Sequence, residues 1–111
     1  MKRLSWKSRG AGKKAFPRNL IDIMAHRPDL VIILDPRVRG ERAPFLVNQL
    51  AFYSHHIADP IGRSGGLWLL WDAGICKIEV LDSSSQVIHA LVSQGSSPDW
   101  LLSAVYASPS Q

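Results

Sequence analysis

The sequence is poor in cysteine and has no long apolar run. Cys76 is its single cysteine, which excludes an internal disulfide and a cysteine metal cluster. The longest apolar runs, Leu30–Leu34 and Leu67–Trp71, are five residues each, whereas a membrane-spanning helix needs roughly 20. The basic N-terminus also lacks the apolar segment of a secretory signal. These absences predict an intracellular protein, nuclear or cytoplasmic, rather than a secreted one.

Positive charge is scarce beyond residue 42. Residues 1–42 carry 11 of the 13 Lys and Arg but only 4 of the 9 Asp and Glu, which gives this region a net charge of +7. A basic region of this kind attracts polyanions, and nucleic acid is the first candidate. A solvated surface that keeps the protein soluble would carry the same charges, and composition alone favours this simpler explanation.

Apolar periodicity divides the first half of the chain into alternating strands and helices. The 111 residues fit one domain, and 46% hydrophobic residues suffice for a packed core. The predicted elements are a strand at residues 3–8, a helix at 16–26, a strand at 30–34 and a helix at 42–52. In the first strand, Leu4 and Trp6 share one face, and the continuous apolar run at 30–34 is typical of a strand covered on both faces.

After the second helix the pattern is purely that of strands. Strands are predicted at residues 67–71, 75–81, 87–92 and 101–107. The second of these alternates cleanly, with Cys76, Ile78 and Val80 facing the core and Lys77 and Glu79 facing solvent. The order predicts an α/β fold with a mixed sheet of about six strands and two helices on one face.

Three short motifs are explained without a catalytic role. The letters G-x-S-x-G at residues 62–66 lack the following helix of a nucleophile elbow, so a tight turn is favoured. The basic glycine segment at 10–14 lacks phosphate-loop spacing. His55 and His56 are interpreted as exposed loop residues whose side chains point to opposite sides. The tryptophans are assigned to core or sheet packing rather than to base stacking: Trp6, Trp68, Trp71 and Trp100.

Four ordered motifs resemble those of one superfamily of phosphodiesterases. They are SWKSRGAG at 5–12, HRPDLVIILDPRV at 26–38, SGGLWLLWD at 64–72 and SAVYASP at 103–109. Their order and spacing resemble the endonuclease/exonuclease/phosphatase superfamily, which is DNase I-like, and within it the endonuclease domain of plant LINE-type non-LTR retrotransposons. The resemblance covers the whole chain, residues 1–111, but only the first half of the family domain. It implies the N-terminal half of a DNase I-like four-layered α/β sandwich.

The resemblance assigns three positions of this chain to the family's site. Lys7 stands where the family has an asparagine that supports the metal, and a lysine is not a metal ligand. Asp35 stands in place of a metal-ligating glutamate and is one methylene shorter. Tyr106 matches the catalytic-site tyrosine that contacts the scissile phosphate. On pattern alone, Asp35 would be a turn-forming Asp-Pro and Tyr106 a half-buried strand residue.

The resemblance also implies a divalent metal, usually Mg²⁺, which assists in-line attack of water on the phosphodiester. Magnesium demands near-octahedral ligands at about 2.0–2.1 Å, so the shorter Asp35 and the charge of Lys7 predict a weakly bound or absent ion. The family's later Asp-x-Asn and Ser-Asp-His motifs have no counterpart in this sequence after Tyr106. All four histidines precede that tyrosine.

The leading hypothesis is therefore a truncated derivative of a magnesium-dependent endonuclease acting on DNA, and we expect it to be catalytically inactive. An alternative hypothesis is a remnant that binds nucleic acid non-specifically through its basic residues. These residues are Arg9, Lys13, Lys14, Arg37 and Arg39. A third hypothesis is an interaction or non-functional fragment that self-associates through an exposed apolar sheet face and an unpaired strand edge.

Overall fold

The computed structural model describes residues 2–7, 22–36, 42–48, 53–61 and 65–106. Within these ranges the chain forms seven strands, one six-residue helix and a further helical turn at residues 22–24. In chain order the elements are β1 (Arg3–Lys7), β2 (Leu30–Leu34), α1 (Arg42–Val47), β3 (Ser54–Ala58), β4 (Leu67–Trp71), β5 (Lys77–Ser83), β6 (Val87–Ser93) and β7 (Trp100–Val105). No helix in the described part of the chain is long and apolar enough to cross a bilayer.

Strands β1 to β4 form a mixed sheet in the order β1-β2-β4-β3. β1 runs parallel to β2, whereas β4 runs antiparallel to both β2 and β3. The two central strands, LVIIL and LWLLW, are apolar throughout and largely buried. Continuous apolar sequence is what a strand needs when both of its faces are covered.

Strands β5, β6 and β7 form a second, antiparallel sheet in that order. The β5–β6 connection is a tight turn in which the Ser84 amide donates to the Val87 carbonyl at 2.8 Å. The Ser84 hydroxyl in turn accepts from the Val87 amide at 3.2 Å. A serine at this position satisfies backbone groups that the turn would otherwise leave without a partner.

The two sheets pack face to face around a shared core. Its buried members are Leu30, Ala58, Leu67, Leu69, Ile88, Ala90, Ala104 and Tyr106. On one side, the guanidinium carbon of Arg3 lies 4.2 Å from the ring centroid of Trp100, which places β1 beside β7. On the other side, His56 Nε2 lies 2.9 Å from Ser83 Oγ, which places β3 beside β5. These two contacts align the outer strands of one sheet with those of the other.

The opposite face of the four-stranded sheet carries a second core beneath the helical segments. Its buried members are Val31, Ile33, Ala43, Val47, Trp68 and Leu70, and Met24 packs against them. Pro44 lies in the first turn of α1, where its missing N–H costs no hydrogen bond. Of the four layers implied by the resemblance, the described residues form three: helix, sheet and sheet.

Several sequence predictions are confirmed. β2 and β4 have the predicted bounds. Leu4 and Trp6 pack together on the helix-covered core. Cys76 is buried, while Lys77 and Glu79 are exposed, as the alternation predicts. Each tryptophan packs against one of the two cores, Trp6 and Trp68 on the helix side and Trp71 and Trp100 between the sheets.

Other predictions are wrong or only partly described. The strands form two sheets instead of one, because the turn at residues 72–76 carries the chain from β4 to the other layer. His55 and His56 lie in β3 rather than in a loop, since this edge strand pairs with β4. The predicted helix at 16–26 is described only from residue 22 and is helical through 24. Residues 49–52 of the other predicted helix lie outside the described ranges.

The shared core predicts an unequal cost for two truncations in the same sheet. Ile88 is 0% exposed between the sheets, whereas Leu81 in β5 is 54% exposed. We expect Ile88→Ala to lower the free energy of unfolding by about 2–5 kcal/mol. We expect Leu81→Ala to change it by about 0.5 kcal/mol or less. Urea denaturation measures both, and equal losses would contradict the face-to-face packing.

Candidate functional site

Three strands end at one edge of the molecule, and each end carries a residue that the resemblance assigns to the site. β1 and β2 are parallel, and Lys7 lies opposite Leu34 in their register, so Lys7 and Asp35 lie at the carboxyl ends of neighbouring strands. β7 begins beside the start of β1, where Arg3 stacks on Trp100, and ends at the residue before Tyr106. The backbone therefore brings all three positions to the same end of the two sheets.

Asp35 is fully buried at this edge and has an unusual backbone conformation. It is 0% exposed, and its φ of 58° lies in the left-handed region. Aspartate tolerates this region better than most residues. Its Oδ1 accepts a hydrogen bond from the Gly65 amide at 2.8 Å, and its own amide donates to the Gly66 carbonyl at 3.1 Å. Asp35 thus ties the end of β2 to the entry of β4 through both side chain and backbone.

Gly65 and Gly66 are the junction that connects the two sheets. Their φ values are 98° and 86°, a backbone conformation that residues other than glycine rarely adopt. The Gly66 amide donates to the Ser85 carbonyl, in the β5–β6 turn, at 2.9 Å. A Cβ on Gly66 would lie 3.2 Å from the Ala58 carbonyl oxygen, so the backbone passes β3 closely. The glycine pair therefore contacts β2, β3 and the second sheet at once.

Tyr106 closes the second sheet at the same place. It is 4% exposed, and its amide donates to the Gln86 carbonyl at 2.7 Å. A Cβ built on Gly65 would lie 4.0 Å from Cε2 of the Tyr106 ring. Asp35 and Tyr106 therefore both adjoin Gly65, one through a hydrogen bond and the other through its ring.

The basic positions predicted to bind nucleic acid are not among the described residues. Arg9, Lys13, Lys14, Arg37 and Arg39 lie outside the described ranges, and the side chain of Lys7 is likewise undescribed. Their role stays a prediction from the sequence. Arg3, which is described, is exposed and stacks on Trp100 at the opposite end of β1 from the candidate site.

The residues described at this edge do not fit a magnesium site. Magnesium binds carboxylate and other oxygen ligands while keeping several waters. Asp35 has no exposed surface, and its Oδ1 already accepts the Gly65 amide. Within the described ranges, no group of three or more His, Cys, Asp and Glu side chains could hold a metal. No catalytic step through a metal follows from this arrangement.

Two features of the site were not assigned by the sequence. The Gly65 amide is the partner of Asp35, although the sequence predicted only a tight turn there. The signal that could have found it is a glycine pair directly before a fully buried strand. His56 joins β3 to β5 through Ser83, and its position in an edge strand was hidden because SHHIA lacks an apolar pattern.

No family model matches the sequence, and no curated protein matches it either. Among solved structures, the chain is similar to the crystal structure of D. rerio TDP2 complexed with single strand DNA product, with a TM-score of 0.64 and 16% sequence identity. The superposition covers 90% of this chain and 43% of the TDP2 chain, so this chain spans less than half the length of that protein.

At this level of identity the likeness concerns the fold. TDP2 is a member of the endonuclease/exonuclease/phosphatase superfamily, and the two packed sheets with their helical segments are consistent with part of a DNase I-like fold. The likeness to TDP2 does not test the resemblance to LINE-type endonuclease domains, which stays a prediction.

The Asp35–Gly65 hydrogen bond predicts different outcomes for two substitutions at one position. Asp35→Ala leaves the buried Gly65 amide without this acceptor and places alanine in the left-handed region, so we expect a loss of about 2–4 kcal/mol in unfolding free energy. Asp35→Asn keeps an acceptor oxygen and tolerates that backbone, so we expect a loss below about 1 kcal/mol. Urea denaturation distinguishes them, and equal losses would show that the hydrogen bond is not what holds this edge.

His56, which joins β3 to β5 through Ser83, predicts a pH dependence of stability. Burial lowers the pKa of His56 below its ordinary value of 6.5, and the neighbouring His55 lowers it further. Protonation therefore favours the unfolded chain. The contribution of neutral His56 to the free energy of unfolding is complete above pH 6.5. It is lost as the pH falls from that value through the pKa of His56 in the folded state.

We therefore expect the free energy of unfolding to decline as the pH is lowered below about 6.5. His56→Gln should flatten this decline because it removes the group that takes up the proton. His55→Gln removes only the lesser cause and should keep most of it. Urea denaturation across this pH range is the measurement, and an unchanged decline in His56→Gln would refute the assignment.

Proposed function

We propose that this chain is a nuclease-like module that binds DNA and does not hydrolyse it by itself. The single observation that carries the proposal is the inward position of Asp35. The family's metal-ligand position is occupied here by a buried carboxyl group that accepts a backbone amide. In this chain the scaffold of a phosphodiesterase is retained while its ligand position serves the fold.

The burial of Asp35 argues against hydrolysis at this edge. A metal-assisted phosphodiesterase needs oxygen ligands that reach both a hydrated cation and the substrate phosphate. Asp35 offers neither, because it is 0% exposed, and moving it outward would break its hydrogen bond to Gly65. Tyr106 is also buried, at 4% exposure, so its ring is not presented to a phosphate in solution.

Charge and fold together favour DNA as the ligand. The net charge of residues 1–42 is +7, and the residues proposed to contact phosphates are Arg9, Lys13, Lys14, Arg37 and Arg39. TDP2, whose fold is similar, was crystallised with a single-stranded DNA product. Binding of this kind is driven by phosphate contacts and the release of counterions, so it is non-specific in sequence. Derivation from a LINE-type endonuclease, as the four motifs suggest, belongs to the same proposal.

The proposal predicts DNA retention without cleavage. We expect the chain to bind a fluorescent single-stranded oligonucleotide at about 50 mM salt and to release it at about 200 mM, since phosphate contacts weaken steeply with salt. The double variant Lys13→Gln/Lys14→Gln should reduce the slope of log affinity against log salt by about 0.7 for each phosphate that is no longer neutralised. Lys77→Gln, outside the basic region, is the matched control and should leave the slope unchanged.

A plasmid-nicking assay with magnesium tests the absence of hydrolysis in the same preparation. We expect no nicking above that of a buffer control. Metal-dependent nicking that disappears in Tyr106→Phe would show that the chain is an active nuclease. Absence of DNA binding at low salt would instead remove the DNA-binding part of the proposal and leave the fold assignment intact.

A further inference from the structure

β7 is an edge strand that carries no charge. Within the described residues it pairs with β6 alone, and its sequence is WLLSAV. Leu101 is 60% exposed and Val105 is 55% exposed on its outer face. The opposite edge of the same sheet, β5, carries charged side chains, namely Lys77, Glu79 and Asp82. Charged residues on an edge strand discourage pairing with another chain, so β5 is protected in a way that β7 is not.

The hydrogen bonds of β7 show which of its backbone groups point away from β6. The Tyr106 amide donates to the Gln86 carbonyl at 2.7 Å, so Tyr106 is a hydrogen-bonded position. In an antiparallel ladder such positions alternate with positions that face away. The backbone N–H and C=O groups of the alternate residues, Leu101, Ser103 and Val105, therefore point toward the open edge.

The side chains on the outer face agree with this alternation. Ser103 lies opposite His89 in the register, and His89 Nδ1 is 2.8 Å from Ser103 Oγ. Side chains of directly opposite residues approach closely in the non-hydrogen-bonded pairs of an antiparallel ladder. Ser103 is thus a non-hydrogen-bonded partner of β6, and its backbone groups are directed to the edge.

We propose that β7 pairs antiparallel with β7 of a second copy of this chain, about a two-fold axis through Ser103. This register places Leu101 opposite Val105 of the second copy, so the exposed apolar side chains cover one another. The three residues with outward backbone groups pair with the same set of three in the second copy, Leu101 with Val105 and Ser103 with Ser103, which gives about six hydrogen bonds between the copies. The three-stranded sheets of the two copies join into one continuous six-stranded sheet. The assembly stops at two copies because both use the same strand.

The β7 strands contribute no charge to the proposed interface, because WLLSAV contains no ionisable side chain. The chain has a net charge of +4, so two copies repel, and an uncharged strand is the part of the surface where this repulsion is weakest. Arg3 lies at the Trp100 end of β7, and the two-fold axis puts the Trp100 ends of the two copies about 20 Å apart along the strands, so the two Arg3 side chains are not brought together.

Sedimentation equilibrium of the full chain and two Ser103 variants tests the proposal. Ser103→Pro removes the N–H at the two-fold axis and, because that N–H points away from β6, leaves the ladder within the sheet unbroken. Ser103→Ala keeps the N–H and removes only the hydroxyl. We expect the parent chain and Ser103→Ala to form the dimer with similar dissociation constants. For Ser103→Pro we expect a dissociation constant roughly ten- to a hundred-fold higher.

A cross-linking variant keeps the test decisive should the proline variant not fold. In Ser103→Cys the two Cα atoms across the axis would be about 5.5 Å apart, within the range of a disulfide. We expect rapid oxidation to a covalent dimer, whereas Glu79→Cys on the β5 edge should form no covalent dimer under the same oxidant. A parent chain that is monomeric up to millimolar concentration, or equal cross-linking of the two cysteine variants, would overturn the proposal.

Discussion

The hydrogen bond between the Gly65 amide and the Asp35 carboxyl group is the contact on which the edge of this molecule depends. A buried carboxyl group is costly unless its oxygens are hydrogen-bonded, so the entry of β4 must keep the conformation that supplies the amide. That conformation requires positive φ at both Gly65 and Gly66. Because the Gly66 amide also bonds to Ser85, the same two residues hold the second sheet against the first.

This junction explains why so small a chain can bury a carboxyl group without losing its packing. The two cores lie on opposite faces of β2 and β4, and Tyr106 extends the core between the sheets to the edge beside Gly65. Hydrogen bonds add to this packing there, through Asp35 on one side and Ser85 on the other. At the far end of the sheets, Arg3 on Trp100 provides the corresponding contact between layers. Polar contacts at the two ends thus align sheets whose middle is held by apolar packing.

The sequence predicted best what depends on local pattern. The bounds of β2 and β4 follow from continuous apolar runs, and the burial of Cys76 follows from alternation. It missed β3, because His55 and His56 interrupt any apolar pattern and the strand forms only through pairing with β4. It also merged two sheets into one, since period-two patterns do not specify which strands pair. For the candidate site, the ordered motifs singled out Asp35 and Tyr106, but the inward direction of Asp35 depends on a contact thirty residues away in sequence.

Different residues determine the fold and the edge. This explains how the fold is similar to that of TDP2 at 16% identity while the edge differs from a metal centre. Apolar residues at the core positions specify the fold, and many combinations of Leu, Ile, Val and Trp satisfy them. The edge is under a different constraint, because side chains there are free to point outward to a ligand or inward to the backbone. In this chain Asp35 points inward and meets Gly65, so the carboxyl group stabilises the loops that a catalytic residue would have to leave open. The residues that determine the fold are thus not those that determine the chemistry of the edge, and function has to be argued from the edge rather than from the fold.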